Sequence, residues 1–355
     1  MSDLPFWLAL NRVSVLGARR ISQLITACGS AQEAFTVEPK KLEQLGLPLK
    51  VCAAFLRERE QIDPLTEWRR CQELGLSVVT LADENYPPLL REIYDPPALL
   101  YYRGNIGCLS QTCAAIVGSR KATAYGRASA EKFAAELAAA GIVVVSGMAR
   151  GIDSHAHQGA LRVQGTTAAV LGSGLDICYP PENRALREKI VENGVVISEF
   201  PPGSQPKPAH FPMRNRIISG LSLAVVVVEA AEKSGALITA DCALEQGREV
   251  FAVPGSIHSP TSRGCHRLLK EGAALAESAA DILGFLGQRL PEAAAAVELT
   301  AAQKLVLTAL EYEPTHFDKL LQATGLTAAD LSGLLVELEL AGFVQKLSGN
   351  FYLRV

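Results

Sequence analysis

The stretch AAIVGSRKATAYGRASAEKFAAELAAAGIVVVSGMARGID, residues 114–153, decides the fold. Ala114 to Val117 is a short, wholly apolar run of the kind that forms a strand buried on both faces. Gly118-Ser119-Arg120 breaks it, and a helical pattern then runs from about Tyr125 to Ala140 until Gly141 stops it. Ile142 to Val145 is a second apolar run, followed by another glycine-bearing turn and a second helix. The same cycle recurs downstream. Thr166 to Leu171 ends in Gly172-Ser173-Gly174, and Val195–Ser198, Leu223–Val228 and Val250–Val253 add three more strands. Short β-branched runs alternating with helices predict an α/β core, a doubly wound, mostly parallel sheet with helices on both faces.

Working outward, residues 1–61 read as a small helical domain. Phe6, Trp7, Leu10, Val13, Ile21, Leu24 and Ile25 recur at helical spacing, with breaks at Gly17, Gly29 and Gly46. Such units resemble helix-hairpin-helix nucleic-acid modules, but the turn Val15-Leu16-Gly17-Ala18 lacks the G-x-G that brings amides to phosphate, and a small helical cap or interaction domain is the better reading. Residues 62–110 are a bridge leading into the core. It holds a helix through Trp68 and Leu74 and a strand from Ser77 to Leu81, and its proline pairs then force extended chain. The core occupies 111–290, an alanine-rich linker 291–297, and a compact module 298–355. That module predicts helices at about Thr300–Leu310, Phe317–Thr324 and Ala328–Ala341. A hairpin around Gly349-Asn350 completes a winged helix.

Open parallel sheets bind ligands at the carboxyl ends of their strands, so the strand-end turns are the candidate site. Gly118, Ser119 and Arg120 place a guanidinium there. Ser146 and Gly147, then Gly172, Ser173 and Gly174, free backbone amides to approach an anion, although each could be a plain tight turn. Ser234 and Gly235 open a further helix after the strand Leu223–Val228. The densest chemistry is PKPAHFPMRNRII at 206–218. Lys207, Arg214 and Arg216 are phosphate-binding types, Asn215 adds an amide, and Phe211 could stack on a base that only a single strand exposes. The competing reading makes this an arginine-rich helix start paired to nearby acids, with Phe211 in the core.

Other functions find little support. G-x-G-x-x-G is absent after the first strand, and no G-x-x-x-x-G-K-[ST] occurs. The eight cysteines are scattered without a C-x-x-C, and His155 and His157 face differently on one helix. No spacing pairs a nucleophile with a base. No catalytic residue, metal or cofactor is therefore expected. There is no basic leader before the first apolar stretch, and the apolar run near Leu223–Val228 is too short for a membrane, so a cytoplasmic protein is expected. Formal net charge is -3, so a polyanion must be met by a local patch.

The core text closely resembles the DNA-processing protein A family, also called Smf. The resemblance is carried by GSR at 118–120, SGMARGIDSHAHQGAL at 146–161, AVLGSGLDICYPPEN at 169–183, FPMRNRIISGLS at 211–222 and EAAEKSGALITADCALEQGREVFAVPG at 229–255. It implies an extended Rossmann-like core that dimerises and binds single-stranded DNA, with a sterile-alpha-motif-like N-terminal domain and a C-terminal winged helix. It also implies a partner, a RecA-type recombinase loaded during natural transformation or recombination, and a DNA pocket built from Arg120, Lys207, Phe211, Arg214 and Arg216. The alternative function is an enzyme processing a nucleotide or phosphoribosyl group in the same pocket, with Glu229 or Asp153 as acid or base. The winged helix carries 4 basic against 7 acidic residues across 298–355, which predicts an interaction or regulatory module rather than the main DNA reader.

Overall fold

The structure, a computed structural model, describes residues 3–289, 299–310 and 314–354; the linker 291–297 lies outside them. Its centre is a nine-stranded sheet. The strands are β1 (Ser77–Thr80), β2 (Leu99–Gly104), β3 (Cys113–Val117), β4 (Val143–Ser146), β5 (Thr167–Val170), β6 (Val195–Ser198), β7 (Ala224–Val227), β8 (Glu249–Ala252) and β9 (Ala274–Leu275). Their spatial order is β1-β2-β6-β5-β4-β3-β7-β8-β9. From β6 to β9 all neighbours are parallel, while β2 runs antiparallel to β6 and β1 antiparallel to β2. The chain walks from β3 out to β6, then returns to lay β7 on the other side of β3. That reversal opens a crevice beside the end of β3.

Alternation along β3 shows why the apolar run becomes a strand. Cys113, Ala115 and Val117 enter the cluster on one face, and Ala114 and Ile116 enter the cluster on the other. Both faces are dry, so a polar residue has no place between them. Helices Ala124–Ala139, Ile152–Arg162 and Ala279–Phe285 cover one face over β3, β4 and β7; helices His210–Gly220, Gly235–Glu245 and Arg263–Lys270 cover the opposite face.

The segment 62–110, read as a bridge, contributes β1 and β2 to the same sheet. β2 carries no period-2 alternation, because Leu99, Leu100 and Tyr101 are all buried. Six helices precede β1: Leu4–Arg12, Ala18–Cys28, Ala31–Thr36, Pro39–Gln44, Leu49–Arg59 and Pro64–Glu73. Their apolar faces share one cluster with the sheet, in which Trp7, Leu8 and Leu10 join Tyr101, Met148, Leu171 and Val196.

The C-terminal module has helices Ala301–Ala309, Phe317–Thr324 and Ala328–Leu340, and strands β10 (Thr315–His316), β11 (Val344–Leu347) and β12 (Phe351–Arg354) in the order β10-β12-β11. Gly349 and Asn350 both take positive φ, +78° and +60°, as a tight hairpin requires. Val306, Leu320, Leu331, Leu335, Leu338 and Tyr352 give it a core of its own. Among the described residues no helix is long and apolar enough to cross a membrane.

Candidate nucleic-acid interface

The crevice at the end of β3 is an open groove of about 820 Å³. The turn Gly118–Lys121, the loop Ala231–Gly235 and the first turns of helix His210–Gly220 form its walls. It runs on into a smaller recess against Gly147, Leu171, Gly172 and Tyr179. Loops after β3, β4, β5 and β7 therefore meet at one place.

The GSR turn is pinned so that its arginine projects. Ser119 N–H donates to the Glu229 carbonyl at 2.7 Å, and the Ser119 carbonyl accepts from Ile152 N at 3.2 Å. Ser119 Oγ accepts from Lys121 N at 3.1 Å. A Cβ on Gly118 would sit 2.6 Å from Ile152 Cγ1, so only glycine fits there. Arg120 is exposed, and its guanidinium lies 4.8 Å from the centroid of the Phe211 ring. Tyr179 also lies beside Phe211, ring centroids 5.8 Å apart. The Phe211 ring lies against Gly172, where a Cβ would come within 3.2 Å of it. Two partly exposed aromatic faces and a guanidinium thus share one wall. Lys121, Lys207 and Lys233 are exposed around it. Ser234 caps the helix Gly235–Glu245 by accepting from Ala236 N at 3.3 Å, and Gly235 stands open at that helix's positive end.

Most other residues singled out from sequence spend polar atoms inside the protein, although the buried Nε of Arg214 has no hydrogen-bond partner. Ser146 Oγ donates to the Ile116 carbonyl at 2.6 Å and is fully buried. Ser173 Oγ donates to the Ile177 carbonyl, and Gly174 N–H to the Ser204 carbonyl at 2.9 Å. Asn215 Nδ2 donates to the Gly235 carbonyl at 3.2 Å, tying two walls together. Arg214 is 4% exposed; its NH1 donates to the carbonyls of Gly147, at 2.7 Å, and Val170. Burial lowers its pKa to about 10, opposed by neighbouring Asp153 and reinforced by Arg120. Asp153 lies beneath the groove with its pKa raised by the same burial, against the pull of Arg214. Arg216 forks onto Glu199 at 2.9 and 2.7 Å and onto Asp95 at 2.8 Å. Pairing to acids therefore describes Arg216, while Phe211 is in the groove and not the core.

Glu229 is 3% exposed and caps the helix Ala124–Ala139: Oε2 accepts from Thr123 N at 2.9 Å, and Thr123 Oγ1 donates to Oε1. His210 stacks on Phe200 at 4.2 Å and reaches the Gly172 carbonyl at 3.2 Å. Tyr179, Lys121 and Lys233 were not singled out from sequence. Lys121 and Lys233 adjoin turns that were, and the aromatic of the YPP run is the one signal for Tyr179.

The sequence profile described as DNA recombination-mediator protein A matches residues 77–287, and that of the DprA winged helix domain matches 290–350. Protein Smf of Synechocystis is 34% identical over 99% of both chains. The DNA processing protein DprA of Streptococcus pneumoniae is 46% identical, over 65% of this chain and 81% of its own. The crystal structure of DNA processing protein A from that species superposes with a TM-score of 0.69 at 38% identity, over 80% of this chain and 98% of the other. A Helicobacter pylori DNA processing protein A, solved for its single-stranded DNA binding mode, superposes at 0.54 with 31% identity, over 59% and 95%. With one profile spanning the whole sheet and relatives alike across nearly the full chain, the protein belongs to the DNA recombination-mediator protein A family.

Proposed function

We propose that the groove beside β3 binds single-stranded DNA and that the protein, as a homodimer in the cytoplasm, passes that strand to a RecA-type recombinase without chemically altering it. The observation that carries this reading is the wall formed by Arg120, Phe211 and Tyr179. Stacking faces are useful to a strand whose bases are unpaired and useless to a duplex, which hides them. The exposed Arg120, Lys121, Lys207 and Lys233 around the wall suit a backbone that carries a phosphate at every nucleotide. Nothing on that wall discriminates between bases, so little sequence preference is expected.

The carboxylates favoured by the enzymatic alternative are engaged elsewhere: Glu229 as a helix cap, Asp153 beside the Arg214 guanidinium. A labelled oligonucleotide titrated against the protein, beside a duplex of the same length, tests the reading. Tighter binding of the single strand is expected, and equal or tighter binding of duplex would sink it. Incubation with free nucleotides, followed by chromatography, tests the alternative; any turnover would revive it.

A further inference from the structure

The loop from Glu199 to Ala209 leaves β6 and delivers Lys207 and Phe211 to the groove. Its first half is held from outside the core. Asn11 Nδ2, near the end of helix Leu4–Arg12, donates to the Glu199 carbonyl at 3.0 Å. Arg12 NH1 donates to the Pro202 carbonyl at 2.8 Å, and its Nε lies 3.7 Å from Glu67. Arg70, on helix Pro64–Glu73, approaches Asp176 at 3.9 Å, and both Asp176 oxygens accept from Gly203 N at 2.8 Å. Gly203 has φ +85°, and a Cβ there would sit 2.6 Å from Arg70 NH2. From Ser204 the chain passes through exposed Gln205, Lys207, Pro208 and Ala209 to His210, whose N–H closes a turn on the Lys207 carbonyl at 2.9 Å. The same helices also pack beneath the site, since Trp7 and Leu10 share a cluster with Met148 and Leu171, which adjoin Gly147 and Gly172.

From these contacts we infer that the N-terminal helices are a positioning element of the single-strand groove, and that Asn11 and Arg12 are positioning residues that set the loop carrying Lys207 and Phe211. This rests on the proposed function of the groove. Neither residue lines it. Their effect passes through the loop's anchored half, so anything that shifts helix Leu4–Arg12 changes affinity for the strand at a distance.

The test compares the full chain with Asn11→Ala/Arg12→Ala, using a labelled oligothymidylate and counting active protein by stoichiometric titration. Affinity should fall roughly 3- to 30-fold, the range seen for residues that act through a network without touching ligand. The salt dependence should flatten by no more than about 0.7, the share of the one phosphate contact that a displaced Lys207 would lose. Arg12→Lys, which can still reach a carbonyl, should restore part of the loss. Gly203→Ala disturbs the same anchor from the loop side and should weaken binding similarly, which covers the case of a double variant that folds poorly. In a Lys207→Ala/Phe211→Ala background the Asn11→Ala/Arg12→Ala pair should cost less than about twofold, since the residues it positions are gone. Arg59→Ala, which removes bonds to the Phe35 and Val37 carbonyls at 3.0 and 2.7 Å on elements that do not reach the loop, should bind as the parent does. Parental affinity in both anchor variants, or an undiminished loss in the Lys207→Ala/Phe211→Ala background, overturns the inference alone, provided Arg120→Ala still weakens binding. A parent that binds no single strand overturns the groove's function and this inference with it.

Discussion

On helix His210–Gly220, Phe211 is half-buried at the groove while Arg214, a turn later, is enclosed among backbone carbonyls. Phe211→Ala should weaken single-strand binding by about 1–3 kcal/mol, the usual worth of one stacked base, and fluorescence titration would read it. Arg120→Ala should flatten the plot of log affinity against log salt by about 0.7 for one lost phosphate contact. Arg216→Ala should leave that slope alone and lower stability, because its fork holds Glu199 and Asp95. His157 is fully buried, its Nδ1 paired with Thr167 Oγ1 at 2.7 Å, and burial lowers its pKa from 6.5 to about 3. The unfolded chain therefore takes up the proton first, so His157 costs no stability above its ordinary value and progressively more as pH falls toward 3. Between about 4 and 6 the parent should lose up to about 1.4 kcal/mol per pH unit relative to His157→Gln. Urea unfolding of both proteins across that range checks it, and parallel curves would refute it.

Elements differ in how openly the sequence declares them. β3 to β8 were legible because strands buried on both faces read as near-continuous apolar runs, their few buried hydroxyls hydrogen-bonded, and glycine turns mark several of their ends. Helix Phe317–Thr324 was legible to the residue, since Gly325 takes φ +66° and stops it. β2 was hidden, because adjacent prolines argue for irregular chain and its pairing partner, β6, lies far along the sequence. At the site, Arg120 and Phe211 were readable by chemical type. What could not be read was which arginine faces outward: Arg214 and Arg216 differ only in the carbonyls and carboxylates that folding brings to them. The helix Ala328–Leu340, where a winged helix ordinarily reads the major groove, has Asp330, Glu337 and Glu339 and no cation, and it exposes Val336 and Leu340. Deleting residues 298–355 should leave single-strand affinity within about threefold, since few phosphates can be neutralised there. A loss of tenfold or more, again by titration, would return DNA contact to this element.

At the scale of the molecule, the clusters divide the chain differently from its predicted boundaries. The apolar interior of the N-terminal helices is continuous with the sheet they cover, whereas the winged helix packs around its own residues. Scanning calorimetry should therefore resolve two transitions, a large one for residues 3–289 and a small one for the C-terminal module that survives mutation of the first. Separate melting of the N-terminal helices, seen as a third transition, would contradict the shared cluster. That cluster also bears on synthesis. Asn11 meets its partner Glu199 across 188 residues of chain. At about 5–20 residues per second, helix Leu4–Arg12 leaves the ribosome roughly 10–40 s before β6 exists to receive it. During that interval the side of this cluster that will meet Met148, Leu171 and Val196 has no partner, and the nascent chain offers a chaperone an apolar handle that the finished protein conceals.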